Sequence, residues 1–206
     1  MGNHGFFKER KVMMIRFVQL SDVPKLRDIY AYYVKNTVIT FEYDVPSIEE
    51  FTKRVEDVYE TYPYLVCEIN NQIAGFAYAH RHMQRDAYKW NVELSIYLSS
   101  TAQGKGIGTA LYTALLELLK KQNLQKAISC ITLPNDKSMA LHKKFGFTEM
   151  GLFHQAGYKC DAWHDVIWLS KDLNNHEINP NDWIVIEEMP ETEKERILMN
   201  AEKFIK

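Results

Sequence analysis

The segment Ile96-Tyr97-Leu98-Ser99-Ser100-Thr101-Ala102-Gln103-Gly104-Lys105-Gly106-Ile107-Gly108-Thr109 constrains this chain more than any other. An apolar strand-like run stops, a glycine-rich turn follows, and a helix begins at once with Ile107, Leu111, Leu115 and Leu118 on one face. Glycines let a backbone adopt positive φ and approach a ligand closely. The first N–H groups of a helix lack intrahelical partners and carry the positive end of the dipole. The combination predicts a pyrophosphate cradle; the plainer alternative is a strand-to-helix loop. A Walker P-loop does not fit, because Lys105 precedes Gly106 and lies before the helix. A dinucleotide fingerprint does not fit either, since Thr109 stands where its third glycine belongs. What Gln103, Gly106 and Gly108 do form is Q-x-x-G-x-G, with the apolar Leu98 five residues upstream.

Around this segment, strand and helix patterns alternate. Ile15 to Leu20 reads as a strand with Ile15, Phe17 and Leu20 inward, and Ser21 as the cap of a helix running towards Asn36. Ser47 with Glu50 forms a capping box that opens a second helix through Tyr59, closed by Pro63. Tyr64 to Ile69 and Ile73 to Ala79 read as a hairpin turning at Asn70 and Asn71. Further strands are expected at Asn91 to Leu98, Ala127 to Leu133, Phe147 to Phe153 and Trp163 to Leu169, with a short helix from Ser138 to Lys144. The fold class is α/β (α+β), a mixed sheet with helices on both faces. Residues 1–13 read as an N-terminal extension, 14–173 as the domain and 174–206 as a polar tail. The tail's Trp183 to Ile186 could add an edge strand, pack at a dimer interface or cover apolar surface, and 193–205 reads as an amphipathic helix.

Composition narrows the function classes. The 206 residues carry 25 Lys and Arg against 27 Asp and Glu, a net charge of −2, too balanced for a sequence-independent nucleic-acid binder. Apolar runs fall far short of the ~20 residues a membrane span requires. Cys67, Cys130 and Cys160 are an odd, widely spaced set without a C-x-x-C pair, which excludes a disulfide framework and a cysteine zinc site and suits the reducing cytoplasm. Cys130, flanked by Ile128, Ile131 and Leu133, reads as a buried structural thiol rather than an acyl carrier. The His80-Arg81-His82 run is too short to hold a metal, so no metal is expected.

The Q-x-x-G-x-G turn resembles the acetyl-coenzyme A motif of the GNAT superfamily of N-acetyltransferases. The resemblance is strengthened by Asn135, Ser138, Leu141, His142, Phe145, Gly146 and Phe147, which match that family's N-x-x-S-x-x-L-H-x-x-x-G-F segment. It implies a mostly antiparallel sheet with a splayed strand pair that holds acetyl-CoA. Backbone groups of Ile96 and Leu98 would pair with pantetheine, those of Gln103, Gly104, Lys105, Gly106, Ile107, Gly108 and Thr109 would take the pyrophosphate, and Asn135 and Ser138 would line the other side.

The segments Tyr62 to Val66, Arg85 to Glu93, Leu133 to Asp136, Gly157 to Lys159 and Trp163 to Val166 resemble the phosphinothricin N-acetyltransferase family within that superfamily. This implies acetylation of the α-amino group of phosphinothricin, methionine sulfoximine or methionine sulfone, by a homodimer. The resemblance implies Glu93 and His142 as the proton-handling pair and Tyr97 as a partner for the thioester sulfur. It places Phe41, Arg85, Tyr88 and Val166 around the acceptor. Read alone, Glu93 is an exposed strand residue, His142 a satisfied core or surface histidine, and Arg85 a solvated loop cation. Met83 departs from the Lys of close phosphinothricin enzymes, favouring a less charged acceptor. Other readings are a GNAT enzyme for another amine (a polyamine, an aminoglycoside, a protein N-terminus) and a non-catalytic acetyl-CoA-binding module.

Overall fold

A computed structural model describes residues 13–206; of the extension expected at residues 1–13, residues 1–12 lie outside the described residues. Seven strands form one sheet in the order β1-β2-β3-β4-β5-β7-β6. They are β1 (Met13–Phe17), β2 (Tyr64–Ile69), β3 (Gln72–Arg81), β4 (Asn91–Leu98), β5 (Lys126–Thr132), β6 (Thr148–Lys159) and β7 (Ala162–Asp172). Every neighbouring pair is antiparallel except β4 and β5. Helices α1 (Val23–Asn36) and α2 (Ile48–Glu56) cover one face, while α3 (Ile107–Lys121) and α5 (Glu191–Glu202) cover the other. The short α4 (Asp136–Lys144) follows β5.

Alternation along each strand sorts side chains between two cores. Leu65, Ala77, Val92, Leu94 and Ile131 face α3, together with the helix's own Ile107, Leu111, Leu115 and Leu118. Val66, Tyr64 and Phe76 face α1 and α2, where they meet Leu26, Tyr30 and Val55. The hairpin between β2 and β3 turns at Asn70 and Asn71 with φ of 48° and 60°, the left-handed pair that matches strand twist.

Several boundaries differ from the sequence reading. Met13, expected at the end of the extension, belongs to β1, paired with Ile69. β1 ends at Phe17, and Leu20 is 41% exposed in a one-turn 3₁₀ helix. Ser21 caps nothing; Asp22 accepts from the Gln19 N–H and is held by the Arg16 guanidinium. Ser47 does cap α2 by accepting from the Glu50 N–H, but the helix stops at Glu56 instead of Tyr59.

The tail covers apolar surface rather than adding a strand. Trp183 stacks on Tyr62 at 5.2 Å, and Ile186, Met189, Ile197, Ala201 and Ile205 join the core beneath α3. Glu202 accepts from the Ile15 N–H of edge strand β1, which partly satisfies an otherwise open edge.

Candidate active site

β4 and β5 run parallel only from Asn91↔Lys126 to Glu93↔Ile128. Beyond that register they separate into a V, while β5 stays paired with β7 along its whole length. The V opens into a cleft of about 900 Å³, within the range that binds substantial small molecules. Leu94 to Leu98 form one wall, Ser129 to Thr132 the other, and α3 and α4 close the far end.

The turn into α3 takes the form its glycines dictate. Gly104 and Gly106 have φ of 77° and 81°, and Gly106 is the N-cap of α3 without any side-chain cap. The first N–H groups of α3 therefore lie at the cleft without a capping side chain, at the positive end of the helix dipole. Ile96, Leu98, Gln103, Gly104, Gly106, Ile107, Gly108, Thr109, Asn135 and Ser138 all line the cleft. Lys105 does not; its ammonium donates to the Thr101 carbonyl at 2.6 Å. The charged side chains among the lining residues are Lys137, Lys144 and Lys206, with no carboxylate among them, which suits a polyanionic ligand.

Two lining residues have structural partners that their sequence did not announce. The Asn135 side-chain Oδ1 accepts from the Ser138 N–H at 3.2 Å, capping α4. The Tyr33 hydroxyl donates to the Leu98 carbonyl at 2.7 Å and accepts from the Leu98 N–H at 3.2 Å. Tyr33 thus occupies the strand edge at Leu98, where pantetheine pairing was expected. Its role came from α1 periodicity only as core.

Glu93 stands at the apex of the V, on the last paired residue of β4. Val92 and Leu94 point into the α3 core, so Glu93 projects to the opposite face. His82 Nδ1 lies 3.3 Å from Glu93 Oε2, and the two side chains are 11% and 21% exposed. The His82 ring meets Trp168 edge-on at 5.5 Å. The sequence reading dismissed His82 as part of a run too short for a metal, and among the described residues no metal-holding cluster forms.

Tyr97 lies four residues further along the strand on the same face and, unlike Glu93, lines the cleft. Its ring packs edge-on against Tyr30 at 5.0 Å and Tyr33 at 5.2 Å. Burial, with neighbouring tyrosines and Glu42, pushes its phenol well above the ordinary 10, so the hydroxyl keeps its proton.

His142 does not have the free ring nitrogen that a base needs. It is 2% exposed, with Nδ1 donating to the Ser138 carbonyl at 2.8 Å and Nε2 accepting from the Tyr112 hydroxyl at 2.9 Å. Burial lowers its pKa below the ordinary 6.5, fixing the neutral ring as part of the cleft wall. Cys130 also departs from expectation. It is exposed and lines the cleft, because the splay of β4 from β5 uncovers that position. Although Cys130 is exposed as a residue, partial desolvation of its sulfur within the cleft, and then the Glu93 carboxylate, push the thiol up to about 11, so it stays protonated.

The four expected acceptor residues do not line the main cleft. Phe41 lies flat on Gly157, where a Cβ would meet Phe41 Cε2 at 2.2 Å, and sits 6.4 Å from the His164 ring. Val166 is buried, paired with Thr132 and Phe153. Arg85 and Tyr88 are exposed on the loop between β3 and β4. Lys159, which sequence reasoning missed, ties the Phe41 loop in place. Its buried ammonium donates to the Val34 carbonyl at 2.8 Å, near the end of α1, and to the Thr40 carbonyl at 2.7 Å. A second cavity of about 110 Å³ lies behind Tyr97, with Glu42, Arg54 and Tyr78 among its walls.

The family pattern "Acetyltransferase (GNAT) domain" matches residues 15–168. The phosphinothricin N-acetyltransferase of Streptomyces viridochromogenes is 35% identical over 165 residues, covering 80% of this chain and 90% of that protein. The L-methionine sulfoximine/L-methionine sulfone acetyltransferase of Salmonella typhimurium is 27% identical, covering 80% and 96%. The crystal structure of a phosphinothricin acetyltransferase from Sinorhizobium meliloti in complex with AcCoA superposes with a TM-score of 0.80 at 32% identity, covering 84% of this chain and 95% of that one. With a splayed strand pair, a glycine cradle and relatives of this similarity, the chain belongs to the GNAT acetyltransferase family.

Proposed function

We propose that the protein transfers the acetyl group of acetyl-CoA to the α-amino group of a small amino-acid-like acceptor of the phosphinothricin, methionine sulfoximine or methionine sulfone type. The observation that carries this reading is the end of the β4–β5 register at Glu93, beyond which the two strands part around a cleft that the glycine turn lines; Glu93 stands at the head of that parting and is not itself one of the lining residues. The names of the relatives support the acceptor class. Residues 14–173 serve as the catalytic domain and 174–206 as its appended tail.

The residues fit acetyl-CoA as cosubstrate. When bound, it supplies the acyl group activated as a thioester. The N–H groups from Gln103 to Thr109 hold the pyrophosphate, and the free edge of Ile96 holds the pantetheine arm. Holding amine and thioester together supplies much of the acceleration. Glu93 takes a proton from the acceptor's ammonium, which frees the nitrogen lone pair for attack on the acyl carbon. As the carbon–sulfur bond breaks, the Tyr97 hydroxyl would give its proton to the departing sulfur and regain one from the acylated nitrogen, which sheds its second proton in becoming the amide. A general base in such a position contributes ~10²–10⁴-fold. The acceptor enters on the Glu93 face, with Phe41, Arg85, Tyr88 and Val166 around it and Met83 at the rim.

The protein acts as a cytoplasmic homodimer in this reading. Edge strand β6 exposes Met150, Leu152 and Phe153, an apolar set that a second copy would cover. The three cysteines are unpaired, and no described helix is long and apolar enough to cross a membrane.

Thiol release from acetyl-CoA tests the acceptor class. The panel is phosphinothricin, methionine sulfoximine, methionine sulfone, a polyamine and an aminoglycoside. The methionine derivatives should give the highest kcat/KM, with phosphinothricin behind them because Met83 offers no cation. Turnover of only the polyamine or the aminoglycoside would overturn the acceptor assignment and leave the fold untouched.

A further inference from the structure

The family pattern ends at residue 168, yet the last residues of the tail return to the cleft. The Lys206 N–H donates to the Lys105 carbonyl at 2.9 Å, inside the glycine turn. The Phe204 carbonyl oxygen lies 1.9 Å from where a Cβ on Gly106 would sit, so the tail backbone rests directly on the N-cap of α3. Burial alternates across the segment. Ile205 is sunk into the core at 9% exposure, while Phe204 on one side is 47% exposed and Lys206 on the other is also exposed. Phe204 and Lys206 both line the cleft beside the turn.

Phe204 therefore holds a half-exposed aromatic ring at the rim of the cleft, fixed there by its buried neighbour Ile205. Coenzyme A offers it a reason. Beyond the pyrophosphate, that ligand ends in an adenine ring and a 3′-phosphate, which call for an apolar stacking surface and for cations. Lys144, whose ammonium donates to the Thr109 hydroxyl at 3.2 Å, and Lys137 already bring positive charge to this rim through neutral partners. We propose that Phe204 and Lys206 complete the nucleotide end of the acetyl-CoA site, the Phe204 ring as a platform for adenine and the Lys206 ammonium as a counter-charge for the 3′-phosphate. The tail is then part of the cofactor site and more than a cover for α3. This rests on the assignment of Gln103 to Thr109 as the pyrophosphate cradle.

Calorimetric titration of the full chain, without acceptor, tests the inference with three probes: coenzyme A, 3′-dephospho-coenzyme A and 4′-phosphopantetheine. Phe204→Ala should weaken coenzyme A and its dephospho form about tenfold, the scale of one lost base–aromatic stack, and leave phosphopantetheine unchanged. Lys206→Gln should weaken coenzyme A several-fold and leave the other two unchanged. Both positions are exposed, so thermal unfolding should match the parent. Unchanged coenzyme A affinity in Phe204→Ala would overturn the proposal. Equal losses on all three probes would also overturn it, because the tail would then act only by bracing the turn. A parent protein that binds phosphopantetheine no more weakly than coenzyme A would remove the nucleotide site altogether. If the parent binds none of the three, the cradle assignment itself fails.

Discussion

His82 Nδ1 and Glu93 Oε2 lie 3.3 Å apart at the point where β4 leaves β5. The His82 ring is held from the other side by Trp168. The pair gives the carboxylate a fixed direction, which a flexible Glu on an open strand would lack. His82→Phe keeps a ring beside Trp168 and removes the polar partner. It should lower kcat about tenfold while leaving coenzyme A binding within twofold. Steady-state kinetics with calorimetry on the same preparation reads both. An unchanged kcat would mean that Glu93 needs no orienting partner.

Tyr97 is held by its ring, so its hydroxyl can be removed without disturbing the aromatic cluster. Tyr97→Phe should reduce kcat about 10²-fold, the lower end of the range for a lost general acid. KM for acetyl-CoA should barely move. A rise in KM with kcat unchanged would make Tyr97 a binding residue instead.

Lys159 links the β6–β7 hairpin to the end of α1 and to the Phe41 loop through two buried bonds. Lys159→Met leaves the Val34 and Thr40 carbonyls without that donor. Charge-assisted hydrogen bonds of this kind contribute about 1.5–3 kcal/mol each, so a loss of about 3–6 kcal/mol is expected in urea unfolding. KM for the acceptor should rise as the Phe41 loop loosens, while KM for acetyl-CoA stays constant.

His142 is neutral and buried, so its protonation opposes folding. Below the ordinary 6.5 the unfolded chain takes up a proton that the folded chain refuses. Its contribution to stability is therefore intact above that value and declines as pH falls through it. Urea midpoints measured from pH 8 to pH 5 should fall on the acid side. His142→Gln should flatten that fall while costing about 1–3 kcal/mol at pH 8 through disturbed buried hydrogen bonds.

The parts of the fold governed by local rules were legible in the sequence. The hairpin at Asn70 and Asn71, the span of β4 and the start of α3 depend on alternation, turn residues and glycine, all of which act over a few positions. Tertiary partners decided what was missed. Asp22 displaced Ser21 as the organising residue because Arg16, six positions away, holds its carboxylate. Cys130 looked buried because its neighbours are apolar, and only the divergence of β4 exposes it. Tyr33, His82, Lys159 and Phe204 each act on residues distant in the chain or across a hairpin, and periodicity carries no record of such partners. The Asn135–Ser138 pair was read only as lining for a ligand, although the two also cap a helix.

The account stands on Glu93 as the group that takes the acceptor's proton. The direct measurement compares Glu93→Gln with the parent, using thiol release with methionine sulfone and calorimetric binding of coenzyme A. The account predicts a loss of ~10²–10⁴-fold in kcat with coenzyme A affinity unchanged. Turnover within a few-fold of the parent, at undiminished coenzyme A affinity, would contradict it.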